Sequence, residues 1–90
     1  MKVKMTTTKI VDAYIWKKGI NPSLDPSLTH WMNDCLKSGK VRCVFPYDVL
    51  YIEHPDHVDR VDCNACIYKD GEVIGHMSLS SFRERCELLL

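Results

Sequence analysis

Apolar side chains fall at Leu28, Trp31, Met32, Cys35 and Leu36, the i, i+3, i+4, i+7, i+8 spacing that turns one stripe of an α-helix towards a core. Asp25 and Pro26 supply an N-cap and a first-turn proline, and Gly39 a left-handed terminator, so the pattern predicts a helix from Pro26 to Ser38. Earlier in the chain Ile10, Val11, Tyr14 and Ile15 also share one side at helical spacing. With Thr7 or Thr8 as cap and Gly19 as terminator, they predict a first helix. From Val41 the period shortens towards 2: Val41, Cys43 and Phe45 alternate with Lys40, Arg42 and Val44 until Pro46 interrupts. Val49 to Ile52 has no polar interruption and reads as an interior strand, joined to the preceding one by a Pro46-Tyr47-Asp48 turn.

After the polar stretch from Glu53 to Asp59, two runs flank Asp70-Gly71, a strong hairpin signal because type I′ turns need positive φ at both central residues. Val61 to Lys69 is expected to pair with Glu72 to Leu79. A two-residue loop sets Lys69 opposite Glu72, Tyr68 opposite Val73, Ile67 opposite Ile74, Cys66 opposite Gly75 and Ala65 opposite His76. Ser81 and Glu84 have capping-box spacing, which predicts a short C-terminal helix with Phe82, Cys86 and Leu89 on one side. The resulting class is α+β, in the order α-α-β-β-β-β-α. It comprises two N-terminal helices, a small antiparallel sheet of three to four strands including a 61–79 hairpin, and a short C-terminal helix. With no repeat, low-complexity segment or linker, residues 1–90 read as one compact domain.

Composition narrows the compartment and the partner. An apolar fraction of 46% with 27% charge places the chain among ordered globular proteins. The apolar runs are far shorter than the ~20 residues of a membrane span, and MKVKMTTTK lacks the apolar core of a secretory signal. Cysteines 35, 43, 63, 66 and 86 are odd in number and match no small secreted framework, so reduced thiols and a cytoplasmic setting are expected. Lysine plus arginine equals aspartate plus glutamate at 12 each, a balance that announces neither a polyanion nor an anionic membrane as partner.

Four residues have the chemistry of a metal site: His54, His57, Cys63 and Cys66 offer imidazole and thiolate in two x-x-spaced pairs. The short interval between the pairs, and the opposite faces that residues 63 and 66 take on a strand, weaken a closed zinc site. His54 and His57 with Glu53, Asp56, Asp59 and Asp62 offer a second arrangement for a divalent ion or an acid–base pair. Its spacing matches no calcium loop, and it reads as a solvated connection. Cys66 or Cys63 beside His76 could form a nucleophile and base, yet nothing nearby lowers either thiol's pKa. Phosphate loops, G-x-S-x-G and H-E-x-x-H are absent. The chain is therefore expected to be no enzyme and to carry no cofactor.

A small accessory protein that binds and inhibits or adapts another protein, of phage or bacterial origin, is the leading expectation. Its candidate contact residues are Trp16, His57, Arg60, Tyr68 and Met77, Trp16 because it falls off the stripe of the first helix. A homodimer through unpaired strand edges is a further arrangement. A nucleic-acid binder of winged-helix order is the second reading, with Lys2, Lys4, Lys9, Lys17, Lys18, Lys37, Lys40 and Arg42 as its basic groups. Against it, the polar face of the predicted second helix carries Thr29, His30, Asn33 and Asp34, without arginine or lysine. A zinc-stabilised interaction domain is the third.

Overall fold

The computed structural model describes residues 1–5 and 9–88. In chain order the elements are β1 (Lys2–Met5), β2 (Lys9–Trp16), a 3-10 turn (Pro22–Leu24), α1 (His30–Ser38), β3 (Val41–Cys43), β4 (Leu50–Glu53), β5 (Val58–Val61), β6 (Ala65–Asp70), β7 (Val73–Ser78), α2 (Leu79–Arg85) and β8 (Cys86–Leu88). They make a five-stranded sheet in the order β7-β6-β2-β1-β8 and a three-stranded sheet in the order β3-β4-β5. Every pairing is antiparallel. Among the described residues no helix is long and apolar enough to cross a membrane.

The expected pair of N-terminal helices is replaced by two strands and a single helix. Ile10, Val11, Tyr14 and Ile15 lie on β2, the middle strand of the larger sheet, hydrogen-bonded to β1 on one side and β6 on the other. A strand covered on both faces carries apolar side chains in both alternating sets, so its sequence loses the period of 2 and imitates a helical stripe. Thr7 and Thr8, the expected caps, lie outside the described residues. Gly19 does take a left-handed φ of +93°, but in the turn that leaves β2. With that first helix goes the winged-helix order.

The predicted second helix forms, four residues late. Asp25 is used in a turn: its Oδ1 accepts from the Ser27 amide at 2.9 Å and its carbonyl from the Leu28 amide at 3.0 Å. Its Oδ2 accepts the Tyr14 hydroxyl at 2.7 Å. An Asx turn satisfies the carboxylate as well as a helix cap does, and Pro26 suits its second position. Helix α1 then starts after Thr29 and ends at Gly39 with φ +82°. Met32 and Cys35 of its stripe are buried, while Leu28, Trp31 and Leu36 pack at the margin of the same cluster.

Strands β3 and β4 pair Val41 with Ile52 and Cys43 with Leu50. Residues 44–49 connect them through a cis Phe45–Pro46 peptide and Tyr47 at φ +64°. Strand β4 is central, as expected of an interior strand, but alternates: Leu50 and Ile52 are buried, Tyr51 and Glu53 half-buried. The expected 61–79 hairpin is shorter. Val61 ends β5 in the small sheet, and only β6 and β7 pair across the turn. Gly71, at φ +61°, and Glu72 form the loop, so Asp70 faces Val73 and Ile67 faces His76. Positive φ at the first central residue alone is the II′ pattern rather than I′, which moves the turn by one residue and every partner by two. A shift of two leaves each side chain on its face. Helix α2 is capped by Ser78, whose hydroxyl accepts the Ser81 amide, so the capping serine precedes the expected one; Leu89 lies outside the described residues.

Two apolar clusters occupy opposite faces of the large sheet. Tyr14, Trp16, Ala65, Ile67 and Ile74 meet Met32, Cys35, Val41, Leu50, Ile52 and Val61 from α1 and the small sheet. On the other face Val3, Val11, Ala13 and Cys66 are buried beneath Phe82, Cys86, Met77 and Tyr68.

Candidate functional site

Most residues expected to make contacts are dispersed. Trp16 is fully buried and donates its indole N–H to the Ile20 carbonyl at 3.1 Å, so it belongs to the core and offers no surface. Tyr68 and Met77 are half-buried on the α2 face of the large sheet. Tyr68 lies across Gly75, its direct partner, where a Cβ would collide with the ring. Arg60 faces outward beside Tyr51 on the small sheet and reaches Asp62 at 3.2 Å. Cys63 is exposed in the turn between β5 and β6, whereas Cys66 is buried against α2. Burial pushes the Cys66 thiol up to about 12, opposite to what a nucleophile needs. His76 shares a face with Ile67, while Cys66, the next residue on β6, points the other way. The thiol–imidazole pair considered for Cys66 and His76 is therefore not assembled.

At the end of β2 a cleft of about 630 Å³ opens between the turn after Trp16, the 3-10 segment and the β3–β4 connection. Its walls include Ile15, Ile20, Leu24, Pro26 and Tyr47. Tyr47 ties the parts together: its carbonyl accepts the Gly19 amide at 2.6 Å and its hydroxyl accepts Asn21 Nδ2 at 3.2 Å. A tyrosine in the left-handed region is strained, and such strain persists only where its surroundings hold it. Leu24 is 80% exposed and Phe45 81% exposed, with Val44 also in solvent. Phe45 stands edge-on to Tyr47 at 6.0 Å between ring centroids, which continues the apolar surface from the cleft to the outside. Asp25 lines the same cleft; the Tyr14 hydroxyl first and the Ser27 amide second hold its carboxyl below the usual range.

Three of the four histidines gather elsewhere. Asp59 on β5 pairs with Ile52 and shares its inward side, at the margin of the small sheet. Its Oδ2 lies 2.8 Å from His54 Nε2 and 3.7 Å from His76 Nε2, and its Oδ1 lies 3.3 Å from His57 Nε2. The His54 and His57 rings stack at 4.4 Å, held by the His54 amide donating to the His57 carbonyl at 2.8 Å. Asp56 Oδ1 sits 2.7 Å from His57 Nδ1. That bond is the main cause raising the His57 pKa and lowering that of Asp56. Of the sequence candidates, His54 and His57 come together with Asp59, and the thiols of Cys63 and Cys66 do not join them. His76 enters from the other sheet, which no local spacing announced.

No protein-family model matches the chain, and no curated protein or solved structure gives a significant match, which leaves the cleft and the histidine cluster to speak for function.

Proposed function

We propose that this chain is a small non-enzymatic accessory protein that binds another protein and modulates it, using the apolar surface around the Tyr47 cleft. One observation carries the reading: Leu24 and Phe45, 80% and 81% exposed, flank an apolar cleft held together by side-chain and backbone hydrogen bonds. Large side chains left in solvent beside a preformed concavity suit a hot spot, which desolvates on binding without reorganising the protein. The cleft volume lies within the range of small-ligand sites, roughly 300–1,000 Å³. The apolar surface nonetheless runs beyond its mouth to Val44 and Phe45, which a ligand seated inside would leave uncovered. The occupant is therefore an apolar segment of a different protein, with one anchor in the cleft and flanking contacts on Phe45. The five free cysteines support a reducing, cytoplasmic setting.

The test is capture by the immobilised full chain, with and without nuclease, compared with Phe45→Asp and Leu24→Asp. A stoichiometric protein retained by the parent and lost by both variants, at unchanged Tm, supports the reading. Equal retention by the variants overturns it, as does recovery of a second copy of this chain alone. Recovery of nucleic acid that falls steeply with salt would favour the basic-surface reading. Pairing of Lys2 with Asp12, Lys9 with Asp70 and Arg42 with Glu53 speaks against that outcome.

A further inference from the structure

We propose that His54, His57, Asp59 and His76 form a binding site for a divalent transition metal of the zinc class at the seam between the two sheets. Four tetrahedral bonds of about 2.0–2.1 Å put neighbouring donor atoms about 3.3 Å apart. From Asp59 Oδ2 the Nε2 atoms of His54 and His76 lie at 2.8 and 3.7 Å, on either side of that edge, and His57 Nε2 lies 3.3 Å from the second oxygen, Oδ1. Donor atoms of His54, His57 and Asp59 all lie within 4.8 Å of one another and form the centre of the site; His76 stands outside that set and adjoins it through Asp59 Oδ2. The cluster is partly sheltered, with the His54 side chain 15% exposed and Asp59 30%, while His57 at 53% leaves a path from solvent.

The outer partner of His57 points the same way. Asp56 lies against Nδ1 at 2.7 Å, and an ionised carboxylate can only accept, so Nδ1 carries the proton. The other ring nitrogen, Nε2, faces Asp59 Oδ1 at 3.3 Å. The ring that Asp56 holds thus presents a single nitrogen to the cluster, as a donor to the carboxylate or as a ligand to a cation that takes the place of its proton. A carboxylate on the far nitrogen is the usual support of a metal-bound imidazole, fixing its tautomer and orientation. Three imidazoles and one carboxylate favour zinc-like ions over calcium or magnesium, which take oxygen ligands.

The donors come from both sheets. Asp59 lies on β5, His54 and His57 lie in the β4–β5 connection, and His76 lies on β7 at the edge of the larger sheet. A metal held there staples one sheet to the other, so its binding is linked to stability.

The experiment uses the full chain, stripped with chelator, then titrated with Zn²⁺ by calorimetry and followed by thermal unfolding, with Ca²⁺ and Mg²⁺ as controls. The expected result is one Zn²⁺ per chain and a Tm that rises with Zn²⁺ alone. Asp59→Asn and His54→Ala each weaken zinc by more than about 100-fold, and Asp56→Asn by about 10–100-fold as a supporting carboxylate. His76→Ala lowers both the affinity and the zinc-induced rise in Tm. His30→Ala, on α1 away from the cluster, and Cys63→Ser change neither. Circular dichroism confirms that each variant is folded before titration. Should the His54 or Asp59 variant unfold, His57→Gln at the half-exposed ring gives the same readout. Absence of saturable zinc, undiminished affinity in Asp59→Asn, or loss of affinity in Cys63→Ser overturns the site. Indifference to His76→Ala overturns the inter-sheet staple.

Discussion

The two faces of the larger sheet are built on different principles. One face carries Tyr14, Trp16, Ile67 and Ile74 and is closed by α1 and the whole inner side of the small sheet. Its residues are large, and several are fully buried. The other face presents Val3, Val11, Ala13 and Cys66, with α2 as its lid, and no residue of α2 is buried. Small side chains let a short helix approach closely, but they remove little apolar area from water. Stability is therefore concentrated on the first face, whereas the second can open by lifting one helix of seven residues.

Trp16→Ala and Phe82→Ala test this difference most directly. Removing the Trp16 ring leaves a cavity among bulky neighbours and is expected to cost about 3–5 kcal/mol, enough to lower Tm by more than about 12 °C. Phe82 is only half-buried on α2, so Phe82→Ala is expected to cost about 1–2 kcal/mol. Denaturant titration of both variants measures the ratio, and equal losses would break the comparison. Gly75→Ala comes next, at about 1–3 kcal/mol, because the new Cβ drives the Tyr68 ring off its partner strand. In a Tyr68→Ala background most of that cost should vanish, and a double-mutant cycle reads the coupling.

Tyr14→Phe follows, at about 1–2 kcal/mol, since it removes a donor from the ionised Asp25. The sign with pH is fixed by the Asp25 carboxyl, which lies lower in the folded chain than its ordinary value. Its contribution is fully present above the unfolded value of about 3.9 and is lost as pH falls through the folded one. Unfolding midpoints measured from pH 6 down to pH 2 should fall less steeply for Tyr14→Phe than for the parent. Parallel acid limbs would mean that the hydroxyl does not hold the carboxylate.

How much of this could be read from the sequence depended on whether a face was wet. Helix α1 has solvent on one side, so its stripe at Leu28, Trp31, Met32, Cys35 and Leu36 carries the period of 3.6 undiluted. Strand β2 has an apolar cluster on each face and no such contrast, with Val11 and Ala13 buried on one side and Tyr14 and Trp16 on the other; Ile10, 60% exposed, completed the helical template from the solvent end. The β6–β7 turn was legible from Gly71, but whether it occupies the first or second loop position rests on the sign of φ at its neighbour, which composition does not fix. His54 and His57 were visible as ligands because they are close in sequence. Asp59 was grouped with them as one of four acidic residues and read as loop polarity, whereas His76 is delivered by a strand of the other sheet and had no local signal. The cleft had no sequence signal at all: Leu24 and Tyr47 line it from distant parts of the chain, which the Gly19 amide and the Asn21 side chain join by donating to Tyr47.

The smallest perturbation alters no residue and reads the second face alone. Cys66 is fully buried, with its thiol pushed up to about 12, whereas Cys63 is exposed in a turn. A disulfide reagent at mildly alkaline pH should therefore modify Cys63 within the dead time, with peptide mapping to locate each label. Cys66 must wait for an opening event. If α2 lifts by itself, the labelling rate of Cys66 corresponds to an opening free energy below that of global unfolding and changes little with dilute denaturant, since little surface is exposed. Phe82→Ala should accelerate it, and Trp16→Ala should not until global unfolding becomes the faster route. If instead Cys66 opens with the full unfolding free energy and the full denaturant dependence, the two faces form one cooperative unit. The lid would then be as firmly held as the large core, despite its small side chains.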